Sequence, residues 1–344
     1  MAEEQDDLRE TITLNQAKAL IHTLADEQSL LLLSPPGVGK SDIVGQAAGE
    51  ARLPFRSLLG TQIAPEDVSG IPRIVGDRSV FCPPRILLPE NPEPFCLFLD
   101  ELPACAPDVQ KAFYSLLLER RLGEFALPKG TWVVAAGNRV EDRALVRALS
   151  SALINRVTIL NVRVDVKEWL VWARVNGVRG DILAFITFLP DALMRPVPAQ
   201  PIPFSTPRAW ASLSGALNRT EKAGILDHSI RRALAFGRVT AEDAAVFCAM
   251  AEERIDSLLP VADYFINPSL LPDEDAGRWF ILNYIRTQVQ RRLLEGVTPQ
   301  QVNVFLMALP QDHRFALLVD LVPDWGVYGA SEALFSSLKE VTGL

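Results

Sequence analysis

Four consecutive leucines, Leu30–Leu33, lead into Ser34-Pro35-Pro36-Gly37-Val38-Gly39-Lys40-Ser41, and a helical pattern follows. A short apolar run, a glycine loop and a helix, in that order, form a unit of a parallel α/β sheet. The loop carries chemistry of its own. A phosphate chain needs backbone N–H groups converging on it, which requires glycine where φ is positive or where the backbone comes close. The positive end of the helix adds to the attraction. Pro36, Gly37, Val38, Gly39, Lys40 and Ser41 are therefore the candidate phosphate-binding residues. Lys40 would reach the outer phosphates, and the Ser41 hydroxyl would ligate Mg²⁺. Ser34 stands where the pattern GxxxxGK[ST] has its first glycine. Taken alone, the segment also reads as a Gly-Pro turn ahead of a helix.

From Leu14 to Val164 short apolar runs alternate with helical patterns, the arrangement of strands and crossover helices. The strand candidates are Leu30–Leu33, Cys96–Leu99, Trp132–Ala136 and Val157–Val162. After Pro107, the residues Val109, Ala112, Phe113, Leu116 and Leu117 have the spacing of one buried helix face. Beyond Val164 the pattern becomes helical throughout. Asp165 with Glu168 has capping-box spacing, and Asn176-Gly177 closes the helix it opens. Thr240 with Asp243 and Thr298 with Gln301 open further helices. Six prolines between Pro190 and Pro207 exclude helix and central strand there. The expected organisation is an α/β core over 1–164, a helical lid over 165–260 and a helical extension over 261–344.

Phe95-Cys96-Leu97-Phe98-Leu99 runs into Asp100-Glu101, a buried strand ending in two carboxylates. Asp100 would stand near the Mg²⁺ shell, and Glu101 would polarise the attacking water. The run Trp132–Ala136 ends in Gly137-Asn138, whose amide is suited to bond both a terminal phosphate and that water. In isolation Asn138 reads equally well as a turn residue. Its place in the order strand, loop, strand, Asp-Glu, strand, Asn puts it beside the nucleotide. Arg156 lies between a helical stretch and the strand Val157–Val162, where a neighbouring subunit's nucleotide could be met. Arg208 lies in the first turn of a helix capped by Ser205 or Thr206, with Pro207 at its first position. A cation is poorly placed for the macrodipole there, which favours another role; the plain alternative for each arginine is a surface ion pair.

Hydrophobic residues make up 49% of the 344 and charged residues 22%, ample for buried cores and without a bias toward disorder. The net charge of −8 opposes binding to a phosphate backbone as the main task, so a protein partner is expected and nucleic acid is not. Met1–Glu10 lacks the basic and apolar regions of a secretory signal, and no apolar run approaches the ~18 residues of a membrane span. Cys82, Cys96, Cys105 and Cys248 have no metal-ligand spacing, so reduced, mostly buried thiols in a cytoplasmic protein are expected.

In combination these residues resemble the MoxR branch of the AAA+ ATPases, grouped with the dynein-related AAA proteins. The resemblance runs from about Leu14 to Leu217. Ser34–Ser41 is similar to the Walker A motif and Leu97–Glu101 to Walker B; Asn138 matches sensor 1, Asn155-Arg156 the arginine-finger segment, and Thr206-Pro207-Arg208 sensor 2. Pro65–Pro72 and Asp100–Ala104 also resemble this branch. The resemblance implies ATP hydrolysis with Mg²⁺ by a ring-forming homo-oligomer, expected as a hexamer, that remodels a protein client, often with a von Willebrand A-domain partner. Two hairpins would be insertions of this branch: Ile74 to Phe81, turning at Gly76-Asp77, and Arg121 to Trp132, turning near Pro128-Lys129-Gly130. A nucleotide-gated assembly module with little turnover, or a motor directed at nucleic acid, are the alternatives.

Overall fold

The computed structural model describes residues 10–88, 92–122, 124–139, 142, 149–252, 259–272, 278, 281–282, 284–286, 289, 296–314 and 317. The chain forms two compact units. One comprises Met1–Gly177, Ala192–Leu213 and Arg238–Thr240, the other Val178–Asp191, Ser214–Gly237 and Ala241–Leu344.

In the first half the elements follow in the order β1 (Thr11–Ile12), α1 (Leu14–Leu24), β2 (Leu30–Leu33), α2 (Lys40–Glu50), β3 (Phe55–Leu59), α3 (Glu66–Ser69), β4 (Ile71–Val75) and β5 (Arg78–Cys82). They continue with β6 (Cys96–Asp100), α4 (Pro107–Ala112), α5 (Tyr114–Glu119), β7 (Arg121–Leu122), β8 (Phe125–Ala126), β9 (Trp132–Gly137), α6 (Ser151–Ile154) and β10 (Thr158–Val162). Six strands make one sheet in the order β1-β10-β2-β9-β6-β3, and every pair in it is parallel.

Alternation along the strands sorts the side chains into two cores. Leu30, Leu32, Phe98, Val134 and Ala136 pack with Ala17 and Ile21 of α1 and with Ile43, Val44 and Ala47 of α2. Leu31, Leu97, Leu99, Val133 and Ala135 pack with Val109 of α4 and Leu116 and Leu117 of α5 on the other face. Both faces of the sheet are thus covered by helices, which is why its central strands read as unbroken apolar runs. Phe98 is fully buried and stacks on Phe55 at 5.8 Å. Phe98→Ala should therefore lower the unfolding free energy by about 3–5 kcal/mol, measured by denaturant titration; a loss under ~1 kcal/mol would contradict its central place in this core.

Both hairpins form, with one difference in position. β4 pairs antiparallel with β5, Val75 opposite Arg78 across Gly76-Asp77. β7 pairs with β8, so the second hairpin closes before Phe125 rather than near residue 130. Pro128–Thr131 is a separate turn, closed by the Thr131 N–H on the Pro128 carbonyl at 3.1 Å, that leads into β9.

From Asp165 onward the described residues form helices and loops: α7 (Val166–Val175), α8 (Gly180–Phe188), α9 (Pro207–Lys222), α10 (His228–Phe236), α11 (Ala241–Glu252), α12 (Val261–Ile266) and α13 (Pro299–Ala308). Asp165 caps α7 through the Glu168 N–H at 3.0 Å. Thr298 and Gln301 complete a reciprocal capping box on α13. In the second unit Phe185 meets Phe247 edge-on at 5.8 Å, and Phe265 lies 4.5 Å from Phe305 in a core shared by α12 and α13. The buried Asp181 carboxylate is compensated by two arginines, Arg179 at 3.1 Å and Arg231 at 3.0 Å. Among the described residues no helix is long and apolar enough to cross a membrane.

Candidate functional site

β2, β6 and β9 lie in the sheet as β2-β9-β6, so their C-terminal ends bring three candidate segments side by side. In parallel sheets ligands bind at this edge. The loop after β2 is tied to the end of β9 by the Ser34 N–H on the Gly137 carbonyl at 3.3 Å. Gly37 and Gly39 have φ of +80° and +114°, in a region that favours glycine. A Cβ at Gly37 would also lie 2.6 Å from Thr206 Oγ1. Gly39 sits at the N-cap of α2 and has no side chain to satisfy the first-turn N–H groups.

Lys40, the first residue of α2, is buried, and its Nζ donates to the Ser34 carbonyl at 3.1 Å, Ser34 Oγ at 3.0 Å, the Pro35 carbonyl at 3.3 Å and Asn138 Oδ1 at 3.2 Å. Burial lowers its pKa to about 8, against the opposing pull of Asp100 and Asp142. The next residue, Ser41, donates from Oγ to Asp100 Oδ2 at 3.1 Å. Asp100 also accepts the Glu101 N–H on Oδ1 at 3.0 Å. Glu101 has φ +57°, a left-handed conformation for a residue with a side chain. Its Oε2 accepts from Thr61 Oγ1 at 2.8 Å.

Of the candidates, Lys40, Ser41, Asp100 and Asn138 form one connected cluster, with Glu101 attached through the backbone at Asp100. Arg208 joins at the loop: its N–H donates to the Gly37 carbonyl at 3.0 Å. Thr206 is the side chain that caps α9, through the Ala209 N–H at 3.0 Å, while Ser205 Oγ accepts the Thr240 N–H at 3.2 Å. Arg156 is held elsewhere. It follows α6 and bonds the Ala152 carbonyl at 2.6 Å, with its guanidinium 5.1 Å from the centre of the Tyr114 ring.

Beside the loop lies a cleft of about 300 Å³, lined on its apolar side by Leu14, Val38, Ile43, Trp169, Trp172 and Ala211, with Arg208 at its polar side. Its wall is fixed by Glu168, which accepts from Thr13 Oγ1 at 2.6 Å and from the Asn15 N–H at 3.2 Å. This clamps the start of α1 to α7. A largely apolar cleft beside a glycine loop suits the base and sugar of a nucleotide.

Residues 29–157 match the AAA domain (dynein-related subfamily). The matched AAA-domain segment begins one residue before β2 and ends one before β10, so it contains every clustered side chain from Ser34 to Asn138. The chain is 24% identical over 321 residues to an ATP-dependent zinc metalloprotease FtsH of Cyanidium caldarium, covering 83% of the chain and 48% of that protein. It is 31% identical over 163 residues to the FtsH of Methylococcus capsulatus, covering 42% of the chain and 24% of the relative. The chain thus spans about half or less of the curated relatives it matches. Among solved structures, the RuvB Holliday junction branch migration motor of Thermotoga maritima aligns at TM-score 0.40 and 16% identity, over 80% of each chain. NtrX of Brucella abortus aligns at TM-score 0.43 and 15% identity, over 94% of this chain and 72% of that one.

Three contributors were not singled out from the sequence. Thr61 meets Glu101 only through the fold, and Trp169 and Trp172 look like the buried stripe of any helix. Glu168 was read only as half of a capping box; Asp165 does accept its N–H, but the Glu168 carboxylate is spent on the α1 segment, which that spacing does not signal.

Proposed function

We propose that the chain is an ATP-hydrolysing AAA+ protein that works as a ring and remodels a protein client, as in the MoxR branch. The observation that supports this most is the convergence of Lys40, Ser41, Asp100 and Asn138 at adjoining strand ends. The glycine loop, with first-turn N–H groups that no N-cap side chain takes, and the Lys40 ammonium would hold the phosphates. Ser41 and Asp100 are an oxygen pair suited to Mg²⁺, which prefers few protein oxygens together with phosphate and water. When bound, Mg²⁺ would neutralise charge on the outer phosphates. Glu101 would accept the proton of the attacking water, and Asn138 would orient it against the terminal phosphate. Arg208 would sense the nucleotide from α9, and Arg156 would serve a neighbouring subunit. The division into core, lid and extension belongs to the same proposal, as do a von Willebrand A-domain partner and a cytoplasmic setting.

Lys40→Ala tests the assignment. It should abolish tight ATP binding in a nucleotide titration while the circular dichroism spectrum stays unchanged, because it removes a cation from the loop and leaves both sheet cores intact. Wild-type affinity in this variant would refute the phosphate-loop reading. Tight binding by the unaltered chain with no turnover would instead favour a nucleotide-gated assembly module.

A further inference from the structure

Ser34 is the one position of the phosphate loop that departs from the pattern, and its side chain is fully buried against the most important cation of the site. Its hydroxyl donates to the Pro35 carbonyl at 3.0 Å and accepts from Lys40 Nζ at 3.0 Å. An ammonium has three N–H donors. Lys40 already has four acceptor oxygens within 3.3 Å: Ser34 Oγ, the Ser34 and Pro35 carbonyls, and Asn138 Oδ1. The donors are saturated before any ligand arrives, so a phosphate oxygen must displace one of these acceptors. Three of the four come from the main chain or from Asn138. The fourth is the hydroxyl that a glycine would not supply.

We propose that the Ser34 hydroxyl is an internal competitor for the Lys40 ammonium, which loosens the hold on the outer phosphates and hastens release of the nucleoside diphosphate product. The inference rests on the phosphate-loop reading above. The cause is the burial of Lys40. In a site withdrawn from water an ammonium that loses an acceptor has no solvent to replace it. Removing the hydroxyl takes away the shortest of the four contacts and leaves three longer ones, at 3.1, 3.2 and 3.3 Å, one for each donor, which weakens the hold on the ammonium in the empty site. The complex, in which phosphate oxygens take the donors, loses little. Ser34 acts through Lys40 and is a positioning residue.

The test is calorimetric titration of ADP, with AMP by competition, on the full chain and on Ser34→Ala and Ser34→Gly, each checked for an unchanged melting curve. Ser34→Ala should bind ADP about three- to tenfold more tightly, the scale of the net contribution of one ordinary hydrogen bond. KM for ATP should fall, and kcat should fall too where product release limits turnover. Affinity for AMP should not move, because Lys40 serves the outer phosphates and a mere rearrangement of the loop would change both ligands. Ser34→Gly should change ADP affinity in the same direction, which assigns the effect to the hydroxyl rather than the Cβ. ADP affinity that is unchanged or weaker in both variants, or an equal gain for AMP, overturns the inference alone. An unaltered chain that binds no ADP removes the phosphate-loop reading and the inference with it.

Discussion

Glu101→Gln is expected to bind ATP and Mg²⁺ like the unaltered chain and to hydrolyse ATP about 10²–10⁴-fold more slowly. The amide keeps the shape of the side chain and can still accept from Thr61, whose hydroxyl meets Glu101 Oε2 at 2.8 Å. It cannot take a proton from water. The Ser41–Asp100 contact and the four contacts of Lys40 do not involve the Glu101 side chain, so binding and turnover should separate cleanly. Turnover is measured by phosphate release and binding by titration of the same preparation. If turnover stays within a few-fold of the unaltered chain, Glu101 is not the general base. The trapped complex should also favour the assembled ring, which sedimentation would report.

Arg156→Ala should lose hydrolysis by about 10³–10⁵-fold, the contribution of an arginine finger, while binding nucleotide normally. Within the chain the guanidinium is engaged by the Ala152 carbonyl and the Tyr114 ring rather than by the Lys40–Asp100 cluster. A residue so placed is suited to act on a neighbour. Mixing Arg156→Ala with Lys40→Ala then gives interfaces at which an intact pocket meets an intact finger, as head-to-tail contacts in a ring require. The mixture should recover part of the activity that neither variant has alone. A mixture that stays inactive, with subunit exchange confirmed by labelling, would leave Arg156 a structural residue and remove the main support for an obligatory ring.

The α/β class and the glycine loop after β2 were legible because their causes are local. β2, β6 and β9 are covered on both faces and so are written as apolar runs, and Gly37 and Gly39 mark backbone that other residues rarely adopt. What escaped depends on distant partners. β3 contains Arg56 and Ser57, which argue against a strand until Arg56 is seen donating to the Ile86 and Leu87 carbonyls and lying 4.0 Å over the Phe95 ring. β1 is two residues long and exists through its pairing with β10. The turn at Pro128-Lys129-Gly130 was read correctly as a turn and wrongly as the tip of a hairpin, because a turn residue does not say which strands it joins. Thr61 is 40 residues from Glu101 in sequence, and no spacing rule connects them.

The backbone at Glu101 sets two selective pressures against each other. A left-handed residue with a side chain costs about 1–2 kcal/mol relative to the ordinary helical region, which glycine would not incur. Part of that saving is lost to the greater freedom of glycine in the unfolded chain, leaving a net gain on the order of 0.5–1 kcal/mol. The position that follows β6 is thus held by a residue that folding alone would not choose. Directed evolution of this chain for heat resistance alone would drift toward glycine at position 101 and arrive at a sturdier protein without its carboxylate.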